Sequence, residues 1–456
     1  MTPRSGRPSP KEGNHWGIND QDATGTTKAM SELVALLNGM PIGIVEQLRG
    51  GDLAFTYDDA WRNEPESYPL SLSMPLARRS HPDAKVRPFL EGLLPENRRV
   101  LEGWARRFQV SPGNPFALLA HMGEDCAGAI QLVAPSRVEA MLASPDEVNW
   151  LSEEQIAHLL CDLVERHGTG RLSAEGGQFS LAGAQPKTAL FHDGRRWGIP
   201  SGRTPTTHIL KPPAQPDLHG FEINEHFCLN LAEELGMASA QSRVQHFCGQ
   251  TAIVLERYDR ARNEEGQVLR IHQEDACQAL AVSPWTKYEN EGGPGAPELV
   301  GLLMRESADP GADVGALIDA LVLNWAIAGS DAHAKNYSLI LQPGSVRLAP
   351  LYDLLTVLPY DREIPYRRVK LAMRVDREYL VGKVRLRHWE GLAIRCGLDS
   401  DPVLHRAIEL VGAIPNAATA VAARLRDEGL AEDTVDLLER KTVEHSRRCL
   451  DLLQAG

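Results

Sequence analysis

The sequence predicts an α+β fold of two lobes, strand-rich in the first half and all-helical in the second. Three observations carry that reading. Short apolar runs broken by tight-turn signals fill the start of the chain, as in Leu33-Val-Ala-Leu-Leu37, Ile42-Gly-Ile-Val45 and Leu53-Ala-Phe-Thr-Tyr57, and return between Phe179 and Asp259. From Val314 onward, apolar residues fall instead at Val314, Leu317, Ile318, Leu321, Val322 and Trp325, the spacing of an amphipathic helix. With 456 residues and 43% apolar content, the chain has material for two or three domains around a sizeable core.

Composition narrows the function classes. A net charge of -13 without a long basic run argues against direct nucleic-acid binding as the main activity, because phosphate neutralisation needs clustered Lys and Arg. An acidic face suits a basic partner. The seven cysteines are scattered without a CxxC pair and read as small buried hydrophobes in a reducing, cytoplasmic setting. No run approaches the about 20 apolar residues that span a bilayer, so no membrane association is expected. Residues 1–29, rich in Gly, Pro, Ser, Thr and Asn, read as a flexible tail and lack the apolar core of a signal peptide.

In chain order, residues 30–135 open with three strands separated by Asn38-Gly39 and Gly50-Gly51. A helix follows with Val100, Leu101, Trp104, Ala105 and Phe108 on one face, and Asn114-Pro115 starts another. No titratable constellation stands out here, so a docking or scaffold module is expected. Residues 136–175 read as a helical connector, with a helix start at Ser152-Glu-Glu-Gln.

Residues 176–270 read as strands around one helix. Ser180-Leu-Ala-Gly-Ala-Gln-Pro-Lys187-Thr188 is a small-residue loop ending in a lysine. It is either a plain surface turn or a loop presenting N–H groups to phosphate; Pro186 stands where a Walker A motif has Gly. Lys211 closes the strand Thr207-His-Ile-Leu-Lys211. The next helix places Glu225 on the apolar face of Phe221, Cys228, Leu229, Ala232 and Leu235, where a carboxylate is costly unless paired. Either Lys211 pairs with it, as in kinases that hold ATP phosphates with such a lysine, or Glu225 snorkels or caps a loop. Glu256-Arg257-Tyr258 ends an apolar strand and is either a hinge for adenine or a strand end edged by salt bridges.

Residues 271–456 read as helical. Gln273-Glu-Asp275 is expected to open a helix, and His388–Cys396, Val403–Ile414 and Thr434–Leu453 to form surface helices packed on a helical core. Within this lobe the Val314–Trp325 helix is stopped by Gly329 and Ser330. Then come Asp331-Ala-His-Ala-Lys-Asn336, a strand, a Gln342-Pro-Gly-Ser345 turn, a returning strand and Asp353. Each Asp alone is a cap or turn residue. In this order they match the needs of phosphoryl transfer: a carboxylate for the attacking hydroxyl, then a carboxamide and a second carboxylate for Mg²⁺. Helix, polar loop and hairpin ending on an aspartate form the catalytic segment of eukaryotic-like kinases, although Ser330 precedes the first Asp and Tyr352-Asp353-Leu354 replaces DFG. His333 either contacts phosphate or is a plain loop residue.

Together with Thr206–Lys211, Asn224-Glu225, Glu256–Arg260, His272–Asp275, Leu93-Leu-Pro-Glu96, Ala105–Phe108 and Gly123–Gly128, these segments resemble the HipA family of serine/threonine kinases, toxins of bacterial type II toxin-antitoxin modules. The match runs in order over roughly residues 31–420. The resemblance implies a bilobal, protein-kinase-like fold with a β-rich HipA-type N-terminal subdomain (30–135), an ATP-binding lobe (176–270) and a helical catalytic lobe (271–456). It implies ATP and Mg²⁺, with Asp331 catalytic, Asn336 and Asp353 as metal ligands, and Lys211 gripping phosphate. Ala182, Gly183, Ala184, Gln185, Pro186 and Lys187 would wrap the phosphates, and Glu256, Arg257 and Tyr258 would hold adenine. His333, Ala334, Lys335 and Tyr352 would complete the ATP site, Glu225 the structural ion pair, and Ser180 would be autophosphorylated. The implied partners are a helix-turn-helix, HipB-like antitoxin, operator DNA reached only through it, and a protein substrate such as an aminoacyl-tRNA synthetase. A corepressor subunit with residual kinase activity and a small-molecule phosphotransferase stay open as alternatives.

Overall fold

A computed structural model describes residues 29–144, 146–165, 180–183, 185–213 and 219–455. Most of the expected tail, the end of the connector and Ala184 lie outside the described residues.

Strands β1 (Ala29–Leu37), β2 (Met40–Leu48), β3 (Leu53–Tyr57), β4 (Ser80–His81) and β5 (Ile130–Val133) form an antiparallel sheet in the order β4-β3-β2-β1-β5. The β1–β2 turn places Asn38 and Gly39 at φ 51° and 77°, the paired positive φ that a two-residue hairpin turn requires to follow strand twist. Leu53, Phe55 and Tyr57 alternate inward from β3. They pack against Val86, Phe89 and Leu90 of the helix Asp83–Gly92 and against Leu101, Leu118 and Leu119 of the next two helices. Those helices start at Asn97 and Asn114, whose side chains cap the Arg99 and Ala117 amides.

A second antiparallel sheet holds β6 (Val148–Leu151), β7 (Thr188–His192), β8 (Trp197–Pro200), β9 (His208–Lys211), β10 (Ser242–Phe247) and β11 (Gln250–Glu256), in the order β10-β11-β9-β7-β8-β6. The stretch expected as a helical connector thus supplies an edge strand of this sheet. It supplies a covering helix as well. Ser152 and Gln155 close a reciprocal cap directly after β6, and the helix Glu153–Glu165 buries Ile156, Leu160 and Leu163 against Leu190, Trp197, Leu210 and Val254. An apolar stripe needs a surface, and the sheet is the nearest one.

The hairpin β12 (Arg260–Arg262) and β13 (Val268–Arg270) leads to a small sheet of β14 (His272–Asp275), β15 (Ser338–Gln342) and β16 (Ser345–Leu348). This corrects one expectation. Gln273 and Glu274 lie in a strand paired with β15, and the helix starts at Ala276 with Asp275 as its cap. The helix Pro310–Ala326 ends ahead of the expected stop at Gly329 and Ser330. Ala328, not Gly329, takes the left-handed conformation (φ 54°), while Gly329 is glycine because a Cβ there would overlap the Asn324 side chain.

The last three helices, Leu386–Arg395, Ser400–Asp427 and Glu432–Gln454, pack on the helical core as expected, and the middle one has a deeply buried face opposite an exposed one. It buries Val403, Ala407, Leu410, Val411, Ile414, Ala418, Val421, Ala422 and Leu425. By length and composition it is apolar enough to cross a membrane, but that apolar side is spent inside the lobe.

Candidate active site

A cleft of about 630 Å³ lies where the second sheet meets the helical lobe, within the size range of small-ligand sites. Two lysines and an aspartate define its polar centre. Lys211 ends β9, and its ammonium donates to Glu225 Oε1 at 2.7 Å and to Asp353. Glu225 comes from the helix Phe221–Glu234 and is fully buried. Burial alone would depress the Lys211 ammonium, but attraction to Asp353 and Glu225 outweighs it and holds the group above its usual value. Burial would likewise raise the Asp353 carboxyl, yet Lys211 and Lys187 hold it well below the ordinary range. Asp353 sits at φ 53°, a left-handed conformation uncommon outside glycine.

Over this centre runs the loop Ser180–Lys187. Gly183 has φ 106°, and a Cβ there would overlap the Lys187 ammonium. It is the φ that calls for glycine, since the Lys187 tip can swing aside. Lys187 Nζ donates to the Ala182 carbonyl at 2.7 Å, and burial together with nearby Lys211 pushes its ammonium down. Ser180 is wholly buried, donating from Oγ to Leu93 O at 2.8 Å.

The catalytic-type loop enters from the other side. The carbonyl of Asp331 accepts from His333 N and from Asn336 Nδ2, both at 2.8 Å, which fixes the loop while leaving the Asp331 carboxylate 57% exposed. Asp331, His333, Asn336 and Asp353 all line the cleft, as do Ala182, Gly183, Gln185, Pro186, Lys187, Lys211, Glu256, Tyr258 and Tyr352. Tyr258 and Tyr352 stack with ring centroids 5.8 Å apart.

Of the residues expected to bind nucleotide, Arg257 and Lys335 line the cleft too, but their charged ends are engaged by other partners, and Ala334 does not line it. The Arg257 guanidinium is committed to Asp259, Thr206 and the Cys126 carbonyl. Lys335 donates to Asp275 Oδ2 at 2.5 Å and to the Gly92 carbonyl at 3.2 Å, anchoring the loop from below. Ala334 is buried in the core of the helical lobe. In each case the neighbouring charge or core gives the side chain a better partner than the open cleft.

The first block, expected to carry no titratable constellation, in fact reaches the site. Glu96 is ion-paired with Lys287 and lies 4.0 Å from Lys335, and the two lysines hold its carboxyl below the usual range against the effect of burial. Pro95 bridges to Gly183, whose carbonyl accepts from the Glu96 amide at 3.2 Å. Farther back, Asp125 meets Arg260 and Arg270 at 3.1 and 3.4 Å. Glu96 and Asp125 stand in Leu93–Glu96 and Gly123–Gly128, motifs visible in the sequence but given no role there. Tyr288, which donates to Asp331 Oδ1 at 2.6 Å, had no such signal.

Comparison with known proteins agrees with this geometry. Residues 33–133 match the HipA N-terminal domain, and residues 179–418 match the HipA-like C-terminal domain. The chain belongs to the HipA family. It is 38% identical over 403 residues to the putative kinase Y4mE of Sinorhizobium fredii, covering 88% of this chain and 92% of that protein. It is 30% identical over 413 residues to the serine/threonine-protein kinase toxin HipA of Shewanella oneidensis, covering 87% and 90%. A solved structure of the S. oneidensis HipA, HipB and operator DNA complex superimposes with a TM-score of 0.79 at 28% identity, over 91% of this chain and 96% of that one. The kinase-like bilobal fold and the serine/threonine kinase class follow from this membership.

Proposed function

We propose that this HipA-family kinase transfers the γ-phosphoryl group of ATP to a serine or threonine hydroxyl on another protein, as the toxin of a toxin-antitoxin module. The observation that carries the proposal is the convergence on one cleft of Asp331, Asn336 and Asp353 with a Lys211 already paired to Glu225.

The residues present fit ATP. Lys187 and Lys211 offer two ammonium groups, Gly183 carries no Cβ beside the Lys187 tip, and His333 Nδ1 is buried without a hydrogen-bond partner among the described residues. Phosphate oxygens would supply what these groups lack. Asn336 and Asp353 would hold Mg²⁺, two protein ligands being the usual number when phosphates complete the shell. Bound there, Mg²⁺ would neutralise charge on the phosphates. Asp331 would orient the acceptor hydroxyl and take its proton, Lys211 would steady the phosphates, and the stacked Tyr258–Tyr352 pair would flank the adenine.

In this reading Ser180 is an autophosphorylation site that switches the enzyme off. Its buried hydroxyl faces a carbonyl, so a phosphate could be housed only after the loop left its seat. A HipB-like helix-turn-helix protein would be the antitoxin and would bring operator DNA, since HipA of S. oneidensis was solved with both HipB and its operator. That complex also favours a second role as corepressor. A translation protein such as an aminoacyl-tRNA synthetase is the proposed target. The test is incubation of the purified protein with labelled ATP and a cell lysate, followed by mass spectrometry of modified sites. Phosphoserine or phosphothreonine on a discrete protein is expected; label on a metabolite and never on protein would overturn the reading.

A further inference from the structure

The Asp331 carboxylate is fixed through its main chain but is half-exposed, and its side-chain torsion is left to whatever touches it. Among the described residues, the one hydrogen bond it receives comes from Tyr288, with His333 Nε2 farther off at 3.8 Å from the same Oδ1. The phenol donates to Asp331 Oδ1 at 2.6 Å, and the ring stands edge-on to His333 with centroids 4.9 Å apart.

Tyr288 is itself held on both sides. Before it, Lys287 pairs with Glu96, and Ser283 Oγ donates to Glu91 Oε2 at 2.7 Å, so the segment is fastened to the N-terminal block. After it, the Glu289 carboxylate accepts from the Arg374 amide at 2.7 Å. A side chain pinned at both neighbours delivers its hydroxyl with little freedom.

We propose that Tyr288 is a positioning residue for phosphoryl transfer, fixing the Asp331 carboxylate through Oδ1 and leaving Oδ2 to accept the substrate hydroxyl, with Glu96 of the N-terminal block holding Tyr288 in place. The proposal rests on the assignment of Asp331 as the catalytic aspartate. A carboxylate has lone pairs enough for both donors. The phenol therefore need not leave when substrate arrives, and its loss should be felt in the chemical step and not in nucleotide binding.

The test compares Tyr288→Phe and Glu96→Gln with the wild-type chain, using γ-labelled ATP with the chain itself and dephosphorylated casein as acceptors. Binding of a fluorescent ATP analogue and the melting temperature are measured alongside. Tyr288→Phe, which keeps the ring against His333, is expected to lower kcat roughly tenfold with KM for ATP changed by less than about twofold. Glu96→Gln should shift kcat in the same direction by less. In an Asp331→Asn background, Tyr288→Phe should change nothing further. An unchanged kcat would overturn the proposal, as would a rise in kcat, which would make the phenol a block. So would equal losses of turnover, ATP affinity and melting temperature, which would make the residue merely structural. Absence of any Asp331-dependent labelling by the wild-type chain is a separate outcome and removes the kinase assignment itself.

Discussion

Lys211 and Glu225 share a hydrogen bond of 2.7 Å in a place where both side chains are almost sealed from solvent, 4% and 0% exposed. A buried ion pair contributes little net stability, but removing one partner strands the other charge. Lys211→Met is expected to cost about 3–5 kcal/mol in urea unfolding and to abolish binding of an ATP analogue. Lys211→Met with Glu225→Leu should recover part of the stability, since Asp353 still lacks its Lys211 partner, and none of the binding. Equal stability of the single and double variants would show that the pair is not the cause.

Gly183 gives a second prediction. At φ 106°, Gly183→Ala meets backbone strain, and its Cβ would displace the flexible tip of Lys187. The local cost of about 1–3 kcal/mol falls on a loop and not on a core element. ATP-analogue affinity should drop about tenfold for each 1.4 kcal/mol, with little change in the melting temperature. Retained affinity in a binding titration would contradict the role of this loop as a phosphate cradle.

Much of this was legible in the sequence, and the reasons differ by element. The segment from Val314 to Asp353 reads clearly because its helix, loop and hairpin are local, so order along the chain becomes order in space. The Asn38-Gly39 turn and the helix caps at Asn97 and Asn114 follow from single-residue stereochemistry. Gln273–Asp275 was misread because acidic residues ahead of a short helix also suit a strand that ends in a cap. Tyr288 and Glu96 were missed because their partners are 43 and 191 residues away in the chain, and no periodicity encodes such a meeting. Lys335 and Arg257 show the converse: adjacency to a site does not say which way a long side chain turns.

Glu274 predicts a pH dependence. Burial pushes its carboxyl up to about 8, with Oε1 accepting from the Leu72 amide and Oε2 buried without a partner among the described residues. The folded chain then holds a proton that the unfolded chain, titrating near 4.5, releases. Between those values stability falls as pH rises, by about 1.4 kcal/mol for each unit that the pKa is raised. Glu274→Gln mimics the protonated acid, so it should stabilise the protein at pH 8 relative to wild type and make no difference near pH 4. Denaturation curves at the two pH values that shift in parallel would refute this.

At Ser180, the neutral and charged replacements should part company. Ser180→Ala forfeits one hydrogen bond to Leu93, worth about 0.5–1.5 kcal/mol, and should still bind ATP while showing no phosphate at this position by mass spectrometry. Ser180→Asp sets a carboxylate against a carbonyl oxygen in a fully buried seat, and should lose ATP-analogue binding. Full binding by the aspartate variant would mean that the loop can house negative charge without moving.

The most direct test of the account is phosphate transfer by Asp331→Asn. The substitution is nearly isosteric and keeps the carbonyl that Asn336 holds, so folding and ATP-analogue binding should match wild type while incorporation of label from γ-labelled ATP disappears. A folded Asp331→Asn protein that labels itself or another protein at the wild-type rate would contradict the assignment of this cleft as the kinase active site.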